Sequence, residues 1–180
     1  MKQSCDTYFY EVARLLGVDR LNITAEKFGL GKKVLGEYFD NEKKGLFPNT
    51  KWKKNSLGKG WVLGETLITG IGQGYIQSTP LQLCMMTAQI ANGGYAIKPK
   101  IIVDSNPISY ENAKQSMESG LLFDSSSDSL LDKKLYKDKK NIKIVQEAMF
   151  SSTNERFGTS YKSRIDDPKY QFAGKTGTAQ

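Results

Sequence analysis

The chain has 180 residues, of which 38% are hydrophobic, 25% charged and 11% aromatic; these values fit one globular domain and give no support to collagen-like, coiled-coil or wholly disordered chains. Lys and Arg number 26 against 19 Asp and Glu, so a basic surface is expected, with nucleic acid, anionic lipid or another anionic polymer as electrostatically possible partners. The lysines are dispersed and few aromatics sit among them, so a solvated lysine-rich surface is expected and no nucleic-acid partner. No apolar stretch approaches the ~18–20 residues of a membrane span, and Met1 to Asp6 lacks the apolar core of a signal peptide.

Thr7 to Leu16 carries the helical stripe Phe9, Val12, Ala13 and Leu16 with Gly17 as its stop. A second helix is expected from Arg20 to Phe28, closed by Gly29 and Gly31. Residues 32–64 mix Gly, Lys, Asn and a Pro with scattered aromatics, which reads as a long surface excursion with a short hairpin. Next comes Gly70-Ile71-Gly72-Gln73-Gly74-Tyr75, followed by a helix start at Thr79. Thr79 suits the N-cap, Pro80 the first helical position, and Gln82 completes a capping box. That helix runs to Ala91 before Asn92-Gly93-Gly94, and its broad apolar stripe predicts burial on most of its circumference.

Tyr95 to Val103 looks extended. Residues 104–140 are rich in Ser, Asp, Asn and Lys, including Ser125-Ser126-Ser127-Asp128-Ser129, and read as an exposed insertion. Helical spacing returns at Ile142, Val145 and Met149. Tyr170 to Gln180 reads as a strand in which Gly174 and Gly177 permit close approach of a backbone or ligand. Two cysteines do not make a disulfide framework. Cys84, within an apolar helical pattern, is expected as a buried free thiol, and without a histidine no catalytic thiol is expected. No zinc spacing occurs.

Lys175-Thr176-Gly177-Thr178 has a physical logic of its own. On an edge strand beside a cleft, the Lys175 ammonium offers a point charge to a carboxylate. Thr176 and Thr178 share parity, so both hydroxyls line one face. Gly177 clears space for a substrate backbone, and the Thr178 amide suits one donor of an oxyanion hole.

Three stretches occur in one order: Ser4-Cys5-Asp6-Thr7-Tyr8-Phe9-Tyr10; Gly70 to Tyr75 with Ser78-Thr79-Pro80-Leu81-Gln82; and Gly174-Lys175-Thr176-Gly177-Thr178-Ala179-Gln180. This succession resembles the transpeptidase domain of class B penicillin-binding proteins of the elongation type. The resemblance spans Ser4 to Gln180 and is weakest across the Ser-rich insertion. It implies an α+β fold, helices packed on an antiparallel sheet, here incomplete at both ends. It also implies a peptidoglycan D,D-transpeptidase that cross-links D-Ala-D-Ala stem peptides through a serine ester and is acylated by β-lactams. No cofactor is expected. The family works at the periplasmic face of the inner membrane, held by a helix not found in this sequence, with the cell-elongation machinery as partner. Carried over residue by residue, Ser4 and Asp6 occupy the second family motif, Ser-x-Asn, and Lys175, Thr176, Gly177 and Thr178 the third. Ser4 would relay a proton between active-site lysines and the leaving amine; Lys175 would hold the electrostatics of that relay and, with Thr176 and Thr178, draw the substrate carboxylate. Gly72-Gln73-Gly74 would be a structural signature near the cleft.

Two departures stand out. Asp6 occupies the position where the general pattern has Asn. An ionised Asp donates no hydrogen bond and favours the charged form of a nearby lysine. The first family motif, Ser-x-x-Lys, lies upstream of the second in the family, and only three residues precede Ser4. The one such string, Ser56-Leu57-Gly58-Lys59, falls downstream, without the helix start that a nucleophile and its lysine need. The 180 residues alone are therefore expected to be an internal slice of a transpeptidase domain without activity. The alternative is a non-catalytic module that holds a carboxylate or muropeptide with Lys175, Thr176 and Thr178.

Overall fold

The structure is a computed structural model and describes residues 1–36, 40–99 and 133–177. Six α-helices carry the described residues: α1 (Asp6–Leu16), α2 (Val18–Lys27), α3 (Thr50–Leu57), α4 (Leu63–Gly70), α5 (Pro80–Ala91) and α6 (Lys139–Asn154). Two 3-10 turns, Tyr161–Ser163 and Pro168–Tyr170, follow α6.

Gly17 ends α1 and begins α2 at φ 76°, so the chain turns there with no intervening loop. One face of α2 is polar and joins it to the approach to α3. Asn22 Nδ2 donates to Phe47 O (2.9 Å), Asn49 Nδ2 donates to Asn22 Oδ1 (3.2 Å), and Asp19 Oδ1 accepts from Thr50 N (2.9 Å). Asn49 then caps α3 by accepting from Trp52 N. Helices α1 and α4 pack side by side. They meet at Gly70, where a Cβ would run into the Ala13 side chain and the Phe9 carbonyl. The glycine opening the 70–75 signature is therefore a packing residue.

Residues 32–64 depart from expectation. Instead of a surface hairpin they hold α3 and the start of α4. Neither helix shows a clean apolar stripe, and an ion pair joins them. Lys53, only 5% exposed, bridges Glu65 across α3 and α4, and Glu65 also accepts from Val62 N (3.0 Å) and Tyr75 Oη (3.3 Å). Burial pushes the Glu65 carboxyl up, but the bonds from Lys53, Val62 and Tyr75 outweigh it and hold it below the ordinary value.

Helix α5 starts as expected: Thr79 Oγ1 accepts from Gln82 N (3.2 Å), and Gln82 Oε1 accepts from Thr79 N (2.9 Å). Its burial falls short of the expected one. Gln82 and Gln89 are its buried residues, whereas Leu83 and Cys84 are exposed. Seven positions apart, the two glutamines share a face and pin loops. Gln82 Nε2 donates to Lys32 O (2.7 Å) and Lys44 O (2.8 Å); Gln89 Nε2 donates to Phe28 O (2.9 Å) while its Oε1 accepts from Ile97 N (3.2 Å). Buried amides persist where both ends are bonded, and Leu81, Met85, Met86, Ala88 and Ile90 are half-buried.

The antiparallel sheet implied by the resemblance is not present among the described residues. They hold only two isolated antiparallel bridges, Leu46 with Gln77 and Tyr95 with Lys134. Residues 171–177 run without regular structure. A strand needs a neighbour to exchange backbone bonds with, and here α6 takes those bonds instead: Gly174 N donates to Met149 O (3.2 Å) and Asn154 Nδ2 to Phe172 O (2.8 Å). At the edge of the expected 104–140 insertion, Lys134 pairs with Tyr95 and α6 already begins at Lys139. Residues 100–132, which include the end of the expected extended stretch and Ser125 to Ser129, lie outside the described residues.

Candidate functional site

Folding brings the two ends of the polypeptide together. Ser4 precedes α1 by two residues and sits at φ 47°, a left-handed conformation that costs a serine about 1–3 kcal/mol. Lys175 follows the segment clamped by α6. Its Nζ donates to Ser4 Oγ (2.7 Å), Thr176 Oγ1 (2.8 Å) and Thr176 O (3.0 Å), which commits all three ammonium donors. Ser4 Oγ and Thr176 Oγ1 lie 3.3 Å apart. Ser4, Lys175 and Thr176 thus form one cluster at a distance of 171 positions along the chain.

Electrostatics at this cluster pull in two directions. Burial lowers the Lys175 pKa from the ordinary lysine value, and the charge of Asp6 opposes it. Asp6 is exposed at the first turn of α1, where a carboxylate is favoured by the helix dipole. Desolvation prevails, so Lys175 is easier to deprotonate than a free lysine. Gly177 faces open space, with nothing within 4 Å of where a Cβ would stand. Thr178 lies outside the described residues.

Three further residues join the cluster that the sequence did not single out. Ser4 Oγ donates to Thr159 Oγ1 (3.3 Å), Thr159 Oγ1 lies 3.2 Å from Ser152 Oγ, and Thr159 N donates to Lys2 O (3.1 Å). Thr159 follows an ordinary turn after α6, and neither spacing nor composition distinguishes it. Ser56 lies elsewhere: it is the penultimate residue of α3, and Gly58 ends that helix in the left-handed conformation at φ 64°. Ser56 and Lys59 therefore straddle a helix end instead of sharing one face. Residues 32–64 do hold a helix at this point, contrary to expectation, but it terminates where a nucleophile motif would have to begin.

The whole chain, residues 1–180, matches the family described as the penicillin binding protein transpeptidase domain. The chain belongs to the penicillin-binding protein transpeptidase family. Its curated relatives include the peptidoglycan D,D-transpeptidase MrdA of Acinetobacter baumannii, 33% identical over 98% of this chain and 24% of that protein. MrdA of Salmonella typhimurium is 32% identical over 100% of this chain and 27% of that protein. The chain thus spans about a quarter of the length of these relatives. Among solved structures, Pseudomonas aeruginosa PBP2 in complex with WCK 5153 superposes with a TM-score of 0.68 at 36% identity, covering 87% of this chain and 32% of that one. Helicobacter pylori PBP2 in complex with MreC gives 0.69 at 26% identity, covering 93% and 27%. The fold of this chain is the penicillin-binding transpeptidase fold, and its likeness to MrdA and PBP2 proteins extends over most or all of its length. Among the described residues no helix is long and apolar enough to cross a membrane.

Proposed function

We propose that these residues form part of the active site of a peptidoglycan D,D-transpeptidase, with Ser4, Asp6 and Lys175 in catalysis and Thr176, Gly177 and Thr178 binding substrate. The observation that carries this reading is the 2.7 Å contact of Lys175 Nζ with Ser4 Oγ in a chain of this family. In the proposed reaction a serine hydroxyl attacks the penultimate D-Ala carbonyl and an ester forms. The C–N bond breaks, and Ser4 hands the leaving D-alanine nitrogen the proton it needs, drawn from the lysine-held network. An acceptor amine then attacks the ester, its proton returns by the same route, and the serine is restored. Lys175 and Thr176 attract the terminal carboxylate of the stem peptide.

Ser56 is not assigned as the nucleophile in this reading, because α3 ends between it and Lys59 and the two do not share a helical face. The setting is the periplasmic face of the inner membrane within the elongation machinery, for which the MreC complex of Helicobacter pylori PBP2 is the precedent. Fluorescent penicillin tests the proposal. The polypeptide as its gene encodes it should acquire a covalent adduct on a serine, lost in Lys175→Ala, whereas the 180 residues alone should acquire none. An adduct on Ser56 would overturn the assignment of the motifs. Reversible binding of a D-Ala-D-Ala peptide that depends on Lys175, with no acylation in either polypeptide, would establish the non-catalytic module instead.

A further inference from the structure

We propose that Thr159 is a positioning residue for this site, fixing both the place of Ser4 and the direction of its hydroxyl. The inference rests on the reading of Ser4 and Lys175 given above. Thr159 lies in a turn drawn flush against the end of α6. A Cβ on Gly158 would collide with the carbonyls of Ser151 and Ser152, and Ser160 N donates to Ser152 O (3.0 Å). From this turn three ties reach the residues before Ser4: Thr159 N to Lys2 O (3.1 Å), Thr159 Oγ1 to Lys2 O (3.4 Å), and the Lys2–Glu155 ion pair (2.6 Å). Ser4 holds a left-handed backbone that its own chemistry does not favour. The surroundings must impose it, and the 155–160 turn grips this segment alongside the Ser4 N–Met1 O bond and the contacts of Ser4 with Lys175 and Thr176.

The hydroxyl protons set the direction. A threonine hydroxyl has one proton and two lone pairs. Thr159 donates its proton to Lys2 O, which leaves its lone pairs to accept from Ser4 Oγ (3.3 Å) and from the fully buried Ser152 Oγ (3.2 Å). With the Ser4 proton directed at Thr159, the lone pairs of Ser4 face Lys175 Nζ and Thr176 Oγ1. When Lys175 loses its proton, the same row of hydroxyls reverses without moving a heavy atom.

Valine and serine at position 159 separate these roles from simple packing. Thr159→Val keeps the shape and the backbone bond but removes the hydroxyl; Thr159→Ser keeps the hydroxyl. In the polypeptide as its gene encodes it, acylation by fluorescent penicillin is followed across pH. The Lys175 ammonium is titrated by NMR of a 13C label, and the melting temperature is recorded. Thr159→Val is expected to acylate about tenfold or more slowly, with the Lys175 pKa falling further below that of a free lysine because the ammonium loses a well-aimed acceptor, at a nearly unchanged melting temperature. Thr159→Ser is expected to stay within about threefold of the parent. A Thr159→Val protein with the parental rate, pH profile and Lys175 titration would overturn the proposal, as would a Thr159→Ser protein that falls with it in step with a lower melting temperature. If the parent itself is not acylated, the transpeptidase reading fails. The Lys175 titration then still decides Thr159: a shift in the valine variant, restored in the serine variant, supports the positioning role, and an unmoved titration removes it.

Discussion

The ionisation of Lys175 is set by a balance of two opposed effects. Burial favours its neutral form, and Asp6 favours its charged form. Asp6→Asn removes the opposing charge and installs the residue that the general family pattern carries. The Lys175 pKa is then expected to fall further, as read by NMR titration of a 13C-labelled side chain; an unchanged titration would show that Asp6 does not act on it. The same shift has a signature in stability. Since the folded value lies below the unfolded one, the unfolded chain binds more protons in the window between them, and stability rises with pH across it. Asp6→Asn should extend that window to lower pH. Much at this scale was legible in the sequence: Ser4, Lys175 and Thr176 could be named because short motifs carry their chemistry in their own letters. Thr159, Ser152 and Lys2 could not, because a hydroxyl that only braces another residue has no local pattern.

Helix α5 illustrates local grammar at work. Its cap, first proline and glycine stop are all short-range features, and they stand where Thr79, Pro80 and Asn92 to Gly94 placed them. Its burial was not legible, because Gln82 and Gln89 are inside on account of loop carbonyls from residues 28, 32 and 44. Helices α3 and α4 were missed for a related reason. The contact that joins them is the ion pair of Lys53 and Glu65, which periodicity cannot report. Lys53→Met leaves the Glu65 carboxylate without its main partner, a change expected to cost about 3 kcal/mol in urea unfolding at neutral pH. Glu65 is held below the ordinary carboxylate value, so its contribution is present above that value and is lost as pH falls through the folded one. In Lys53→Met only the bonds from Val62 and Tyr75 still oppose burial, and acid unfolding should begin at a higher pH. A variant that unfolds in acid with the parent would show that the pair contributes nothing.

At the scale of the molecule, polar side chains are buried among the described residues beside the apolar Val18, Leu30, Leu135 and Ile142. Its fully buried side chains include Gln82, Gln89, Ser152 and Thr153, while large apolar residues such as Leu15, Ile23, Val62, Ile144 and Phe172 remain exposed among the described residues. The expected sheet strand at 171–177 finds its hydrogen bonds on α6 instead of on a neighbouring strand. Strand pairing is a long-range property, and residue alternation in one segment says nothing about whether a partner lies alongside. The meeting of the chain's two ends is likewise long-range; it followed from the resemblance and was not readable from spacing, yet the site depends on it. A double-mutant cycle measures it directly. Penicillin acylation is compared in the gene-encoded parent, Ser4→Ala, Lys175→Met and the combined variant. Groups that act as one unit are strongly non-additive, so the double variant should lose scarcely more rate than the worse single one. Losses that multiply independently would contradict a shared site of Ser4 and Lys175.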